Sequence, residues 1–284
     1  MNKLFKIIVL LILFLILCVS SGICTDNNRP VNEKYLGMKP PGEIPVVFAP
    51  GIVSTKADET SFFISPDGNE IYFTRNHTKL MVIKKEKVNN SWGKPLEVSF
   101  AGKYYQIGEA DISKNGSKIY FNCRRQVPGA RVALTLWVSE RESGGWGPAR
   151  GMKPPVNNQV MHAVSIAPDG SIYASGLRKS KWVNDNWEAP VRLNTKGNHP
   201  FVANDGSYLL FSARQPQGYA GDLYIMFKNS IGSWSEKRDL GDSINTPKVE
   251  TNPFVTMDGK YLFFSRSGDI YWVKTAFFSN LKKN

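Results

Sequence analysis

Phe62-Phe63-Ile64-Ser65-Pro66-Asp67-Gly68, resumed after three residues by Tyr72-Phe73-Thr74-Arg75, is the stretch that decides the fold. Two apolar runs flank a turn-forming Asp-Gly pair, a strong local sign of a β-hairpin. The phrase recurs at 111–124, 164–178, 200–214 and 253–266, with turns at Asn115-Gly116, Asp169-Gly170, Asp205-Gly206 and Asp258-Gly259. Asp, Asn and Gly tolerate positive φ best, so type I′ turns are predicted at all five sites. The turns lie between 36 (169 to 205) and 54 (115 to 169) residues apart. That is near the roughly 40–50-residue spacing of propeller blades.

Each repeat divides into four strands. The third is clearest at Asp222-Leu223-Tyr224-Ile225 and Asp269-Ile270-Tyr271-Trp272. The fourth is predicted to open with Trp92, Trp146, Trp187 or Trp234, with Pro95, Pro148 and Pro190 soon after the first three. Proline cannot donate to a ladder, which puts this strand on the outer edge. Positions three and five before each turn residue are mainly apolar: Ile64, Ile112, Ile166, Val202 and Val255, with Phe62, Ala110, Val164, Pro200 and Pro253. This period-2 stripe predicts blade-to-blade packing. The fifth repeat stops after its third strand, and the apolar Val46-Val47-Phe48 supplies the missing one. The expectation is an all-β chain: a single β-propeller over 44–276, with five four-stranded blades. An N-terminal strand completes the last blade and closes the ring, leaving a tail at 277–284. Six blades is the alternative, but it needs a degenerate repeat for which 94–108 is too short.

Lys3 and Lys6 precede an unbroken apolar run from Ile7 to Val19, followed by Ser20, Ser21 and Gly22. This reads as a signal peptide over 1–24, followed by a proline- and asparagine-bearing linker at 25–43. Export to the periplasm, the cell envelope or the medium is expected. Membrane attachment would come only through an uncleaved N-terminal segment or a lipid anchor at Cys24, where Ile23 occupies a position that wants a small residue. After cleavage Cys123 is left without a disulfide partner and reads as a buried, inert thiol. Lysine and arginine number 36 against 24 acidic residues, a net charge of +12. This balance favours anionic partners. No basic run alternates with aromatics, so nucleic acid is not an expected partner.

Pro66-Asp67-Gly68 with Tyr72-Phe73, and Gly221-Asp222-Leu223-Tyr224 ahead of Gly232-Ser233-Trp234, resemble the WD40-like repeat of TolB-type propellers. The opening Phe48-Ala49-Pro50-Gly51-Ile52-Val53-Ser54 and the closing Gly268-Asp269-Ile270-Tyr271-Trp272-Val273 are similar to exported bacterial propellers with that repeat. The resemblance spans about 44–274. It implies the fold and, by analogy alone, a protein-interaction platform. The extra N-terminal domain and sixth blade of TolB are not expected here.

The first strand of each hairpin runs towards its turn and the second runs away, so strand-one starts and strand-two ends share one face. That face is expected to collect Glu59, Glu109, His162, His199 and Glu250 beside Arg75, Arg124, Arg125, Arg178, Arg214 and Arg266. In one reading each Arg pairs with the Glu of a neighbouring blade and ties the ring together. In the other, His162 and His199 replace Glu and leave Arg178 and Arg214 free for an anionic sugar or a carboxylate terminus. An enzyme would draw its acid and base from Glu59, Glu109, Asp111, His162, His199 and Glu250. No His-Glu-x-x-His, Gly-x-Ser-x-Gly or phosphate-cradling loop is present. No cofactor is expected, and no metal, although His162 and His199 with Glu109 or Glu250 are one set that could hold one. The function read from these residues is a binding platform for a protein partner or an anionic envelope glycan. The alternative is a glycan-active hydrolase or lyase on the same face.

Overall fold

The computed structural model of the protein describes residues 34–86, 90–98, 105–125, 134–158, 161–214 and 221–283. The signal-peptide segment 1–24 and the first part of the linker, 25–33, lie outside them. No helix among the described residues is long and apolar enough to cross a membrane.

Strand β1 (Val46–Val47) comes first in the chain. Blade 1 holds β2 (Glu59–Ile64), β3 (Glu70–Arg75), β4 (Lys79–Lys84) and β5 (Leu96–Glu97). Blade 2 holds β6 (Tyr105–Ile112), β7 (Lys118–Arg125), β8 (Leu134–Glu142), β9 (Gly145–Trp146) and β10 (Arg150–Gly151). In blade 3, β11 (Ser165–Ile166), β12 (Ile172–Ala174) and β13 (Arg178–Ser180) lead into a ribbon of β14 (Trp182–Val183) and β15 (Asn186–Trp187), then the outer β16 (Val191–Arg192). Blade 4 holds β17 (Asn198–Val202), β18 (Tyr208–Arg214), β19 (Gly221–Phe227) and β20 (Arg238–Asp239). Blade 5 holds β21 (Glu250–Val255), β22 (Tyr261–Arg266) and β23 (Asp269–Lys274). Its fourth strand is β1, which pairs antiparallel with β23 through Val46 opposite Trp272 and Val47 opposite Tyr271. The chain is a five-bladed β-propeller closed between its first and last strands, as the repeat predicts.

Closure is made by aromatic packing. Phe48 is fully buried, 5.2 Å from the Phe62 ring, 5.1 Å from Phe263 and 5.2 Å from Trp272. The segment read as a linker contributes as well: Tyr35 lies 5.4 Å from both Tyr261 and Trp272. Polar straps then join each inner strand to the next blade. The Thr74 hydroxyl donates to Gly108 O (2.8 Å), and the Ile166 amide donates to the Asp111 carboxylate (2.8 Å). The Val202 amide donates to Ser165 Oγ (3.1 Å), and Asn204 donates to Thr256 O (3.1 Å). The Glu59 amide donates to Gly268 O (2.8 Å) and completes the circle. Asp111 is therefore a strap between blades 2 and 3. Burial raises its carboxyl above the usual range, against the Lys114 charge and the two amides it accepts.

Two sequence expectations change in detail. The hairpins do not use type I′ turns, because only the glycines (Gly68, Gly116, Gly170, Gly206, Gly259) have positive φ. Gly68 N–H donates to Ser65 O, which centres the turn on Pro66 and Asp67, and Pro66 holds φ negative. Asp67 instead accepts from Ser65 Oγ (2.6 Å) and the Asn69 amide (3.1 Å), locking the loop through its side chain. The tryptophans also do not open the fourth strands. Each pairs with an extension of strand three, at Lys85–Trp92, Arg141–Trp146, Trp182–Trp187 and Lys228–Trp234. In the first three blades the following proline interrupts the ladder before the outer strand resumes.

Cys123 is buried and free, and burial alone pushes its thiol up to about 12. It behaves as the inert apolar residue expected of it.

Candidate functional site

Counting back six residues from each turn residue reaches Ser61, Glu109, Ala163, His199 and Asn252 (67 − 6, 115 − 6, 169 − 6, 205 − 6, 258 − 6). Four of these have left-handed backbone: Ser61 (φ 51), Ala163 (φ 50), His199 (φ 49) and Asn252 (φ 51). The β-ladder slips at this point in blades 1, 2, 4 and 5. A bulge of this kind re-aims one side chain, and strained residues of this sort gather at functional positions. All five equivalent residues, with the two that follow each, line a single narrow opening, the central channel.

Glu109 is the hub of that opening. Its Oε1 lies 3.2 Å from His199 Nε2 and accepts from Asn252 Nδ2 at 2.9 Å. Its Oε2 accepts from Asn122 Nδ2 at 3.2 Å and lies 3.9 Å from His162 Nδ1. The Asn122 carbonyl accepts in turn from the Glu109 amide at 3.1 Å. Gly108 makes room for this approach, since a Cβ there would stand 2.3 Å from Asn122 Oδ1. On the far side of the imidazole, His199 Nδ1 meets Ser212 Oγ at 2.7 Å. With a carboxylate on Nε2, that nitrogen carries the proton.

Burial pushes the Glu109 carboxyl up, but His199, the Asn252 amide and His162 outweigh it and hold it down to about 2. Burial lowers His162, and the nearby Glu109 only partly offsets this. Glu109 thus contributes stability that is present above its ordinary value near 4.5 and lost as the pH falls towards 2. The stability gap between the protein and a Glu109→Gln variant is expected to shrink by roughly 1–3 kcal/mol between pH 6 and pH 2.5. Urea midpoints at the two pH values measure it, and an unchanged gap would show that the pairing contributes nothing.

Glu59 and Glu250 do not reach this opening. Each is fully buried within its own blade and held by one repeated set of partners. Arg266 Nε donates to Glu250 at 2.8 Å, its second nitrogen donates to Ile244 O at 2.7 Å, and Thr246 Oγ1 donates at 2.6 Å. Arg75, Ile52 and Thr55 repeat this arrangement around Glu59. These two arginine–carboxylate pairs therefore run within a blade; among the described residues, the pair that joins neighbouring blades is Arg141 of β8 with Glu70 of β3, at 2.6 Å. Counting from the strand start placed Glu59 and Glu250 in one ring with Glu109, although they stand eight residues before the turn (67 − 59, 258 − 250) and not six.

The remaining arginines differ. Arg178 opens the third strand of its blade instead of ending the second, and donates to Ser175 O at 3.0 Å. Arg214 is exposed at the end of β18, and Arg124 is exposed near the end of β7. Among the described residues none of these three has a carboxylate partner. Arg125 ends β7, and its side chain lies outside the described part of the chain. A cleft between blades 1 and 2 brings Arg124 together with Gln106, His77, Asn122, Glu109 and His162 around about 780 Å³. Among the described residues, no group of three or more His, Cys, Asp or Glu could hold a metal ion.

Asn122, Asn252 and Ser212 belong to the site and escaped the sequence reading. Registering every repeat on its turn residue would have placed Asn252 beside His199 and Glu109.

No family model and no curated protein matches the chain. Solved structures do resemble it. A protein described as a TolB from Agrobacterium tumefaciens superposes with a TM-score of 0.47 at 13% identity, over 72% of this chain and 69% of its own. TolB from Acinetobacter baumannii gives 0.48 at 12% identity, over 79% of this chain and 56% of its own. A gluconolactonase from Xanthomonas campestris gives 0.48 at 10% identity, over 81% and 90%. TolB proteins are thus among the chain's structural neighbours. Likenesses at this level concern architecture alone, and the architecture here rests on the blade pairing itself.

Proposed function

We propose that the chain is an exported binding propeller that captures a carboxylate-bearing partner, such as an anionic envelope glycan, on the face opposite its hairpin turns. The observation that carries this reading is the set of guanidiniums at Arg124, Arg178 and Arg214, which lack carboxylate partners among the described residues. A planar guanidinium suits bidentate recognition of a carboxylate. Arg75 and Arg266 are engaged with Glu59 and Glu250 and are assigned to holding their blades together. Glu109 stays ionised at neutral pH, so it anchors His199 and repels an anionic ligand from the channel axis towards the arginines.

A glycan-active hydrolase or lyase is the second reading, favoured by the contact between Glu109 and the two histidines. It has fewer candidate groups than the sequence suggested. Glu59 and Glu250 are sealed, and Asp111 accepts two amides. Glycoside hydrolysis ordinarily needs a second carboxylate that can donate a proton, a role Glu109 does not suit.

Arg178→Ala and Arg214→Ala are each expected to weaken retention on immobilised acidic glycan by about tenfold, with unchanged melting temperatures. New products in a mass-spectrometric turnover assay, abolished by Glu109→Gln or His162→Ala, would replace the binding reading with the enzymatic one.

A further inference from the structure

The rule that governs the blade-edge tryptophans is broken once. In blades 1, 2 and 4 the residue paired with the tryptophan is a cation lying over its ring: Lys85 on Trp92 at 5.6 Å, Arg141 on Trp146 at 3.7 Å and Lys228 on Trp234 at 5.9 Å. A lysine or arginine there covers the indole face with its own charge and stem. In blade 3 the same position is Trp182, paired with Trp187. The two rings stand 5.3 Å apart at 68°, and Trp182 remains 53% exposed. An exposed indole thus takes the place of a solvated cation.

This pair does not face open solvent on a flat surface. It forms one wall of a groove of about 920 Å³ between blades 2 and 3. Its remaining lining mixes polar side chains (Asn115, Lys118, Arg150, Asp169) with apolar ones (Val138, Met152). Glu140 pairs with both cations, at 3.5 Å from Lys118 and 2.7 Å from Arg150, and Asp169 adds a second carboxylate to the lining, so these four side chains sum to no net charge. The Asn115 carbonyl accepts from Ser117, while its amide N–H groups donate to no described residue. An indole face set beside balanced charges and hydrogen-bonding groups matches a pyranose ring, which presents axial C–H bonds on one side and hydroxyls around its rim.

We propose that the groove between blades 2 and 3 is a binding site for a neutral, equatorially substituted glycan, with one sugar ring stacked on Trp182 against the edge of Trp187. It is separate from the arginine-bearing face and stands whether or not that face binds an anion.

The test follows the indole N–H resonances of the full chain by NMR during titration with cellohexaose, laminarihexaose and hexa-N-acetylchitohexaose. At least one should shift the Trp182 and Trp187 signals saturably. Trp182→Lys, which installs the cation found in the other blades, should leave the melting temperature unchanged and weaken that binding by about tenfold or more. Trp182→Phe should restore part of it, and Arg178→Ala should leave it intact. The proposal is overturned if none of the three glycans shifts these signals, or if Trp182→Lys binds as well as the parent. It also fails if sedimentation shows self-association that Trp182→Lys abolishes, because the groove would then be covered by a second copy of the chain.

Discussion

Replacing Arg266 by methionine is expected to cost about 3–5 kcal/mol of folding stability, the range for breaking a buried ion pair from one side. Glu250 has no exposed side-chain surface and Arg266 only 10%. Without the guanidinium, Glu250 loses the Nε donor at 2.8 Å and Ile244 O loses its partner at 2.7 Å. The Thr246 hydroxyl and amide remain, at 2.6 and 3.3 Å, but these two neutral donors are too little to solvate a full charge. Adding Glu250→Gln should recover part of the loss, because the stranded charge is then gone. Arg75→Met provides the comparison. That arginine is 23% exposed and reaches Ile52 O at 3.3 Å, so water can replace it and a cost of about 1–2 kcal/mol is expected. Urea unfolding measures all three. A loss below about 1 kcal/mol for Arg266→Met would mean that the blade tolerates the bare carboxylate by admitting water.

Phe48→Ala should be as damaging, again by about 3–5 kcal/mol. The ring sits between blades 5 and 1, against Phe62, Phe263 and Trp272, and nothing nearby is free to fill its place. Ile44, four residues earlier and 76% exposed, is the control, and its replacement by alanine should change stability by less than about 0.5 kcal/mol. A local readout accompanies the global one. In Phe48→Ala, limited proteolysis should cut near Val46 and Val47 before the blades unfold. Equal resistance in the two variants would place the closure elsewhere.

The architecture was legible because its signals are local. Five apolar–turn–apolar phrases announce the blades, and the missing last strand announces the closure. The turn geometry was misread because Asp-Gly was taken as the turn centre, whereas all five turns are centred one residue earlier, whether that residue is proline (Pro66, Pro168) or not (Lys114, Asn204, Met257). The site was half legible. Glu109 and His199 could be found, but the left-handed backbone at this position is carried by Ser61, Ala163, His199 and Asn252, residues with no shared chemistry to betray it. Glu109 also meets Asn252 across 143 residues of chain, a contact set by ring closure and not by neighbouring sequence. The intrablade pairs escaped for the opposite reason: threonine and glutamate four residues apart look ordinary until burial makes them partners.

The seam that joins Val46 to Trp272 also sets a timetable. Its partners are separated by 226 residues (272 − 46), so the first of the described strands is the last to be paired. Until blade 5 arrives, Phe48 and the edge beside it stay uncovered. A closed ring could not be drawn through a narrow pore, and this one cannot close ahead of its final strands. The chain becomes a ring only once its two ends have met.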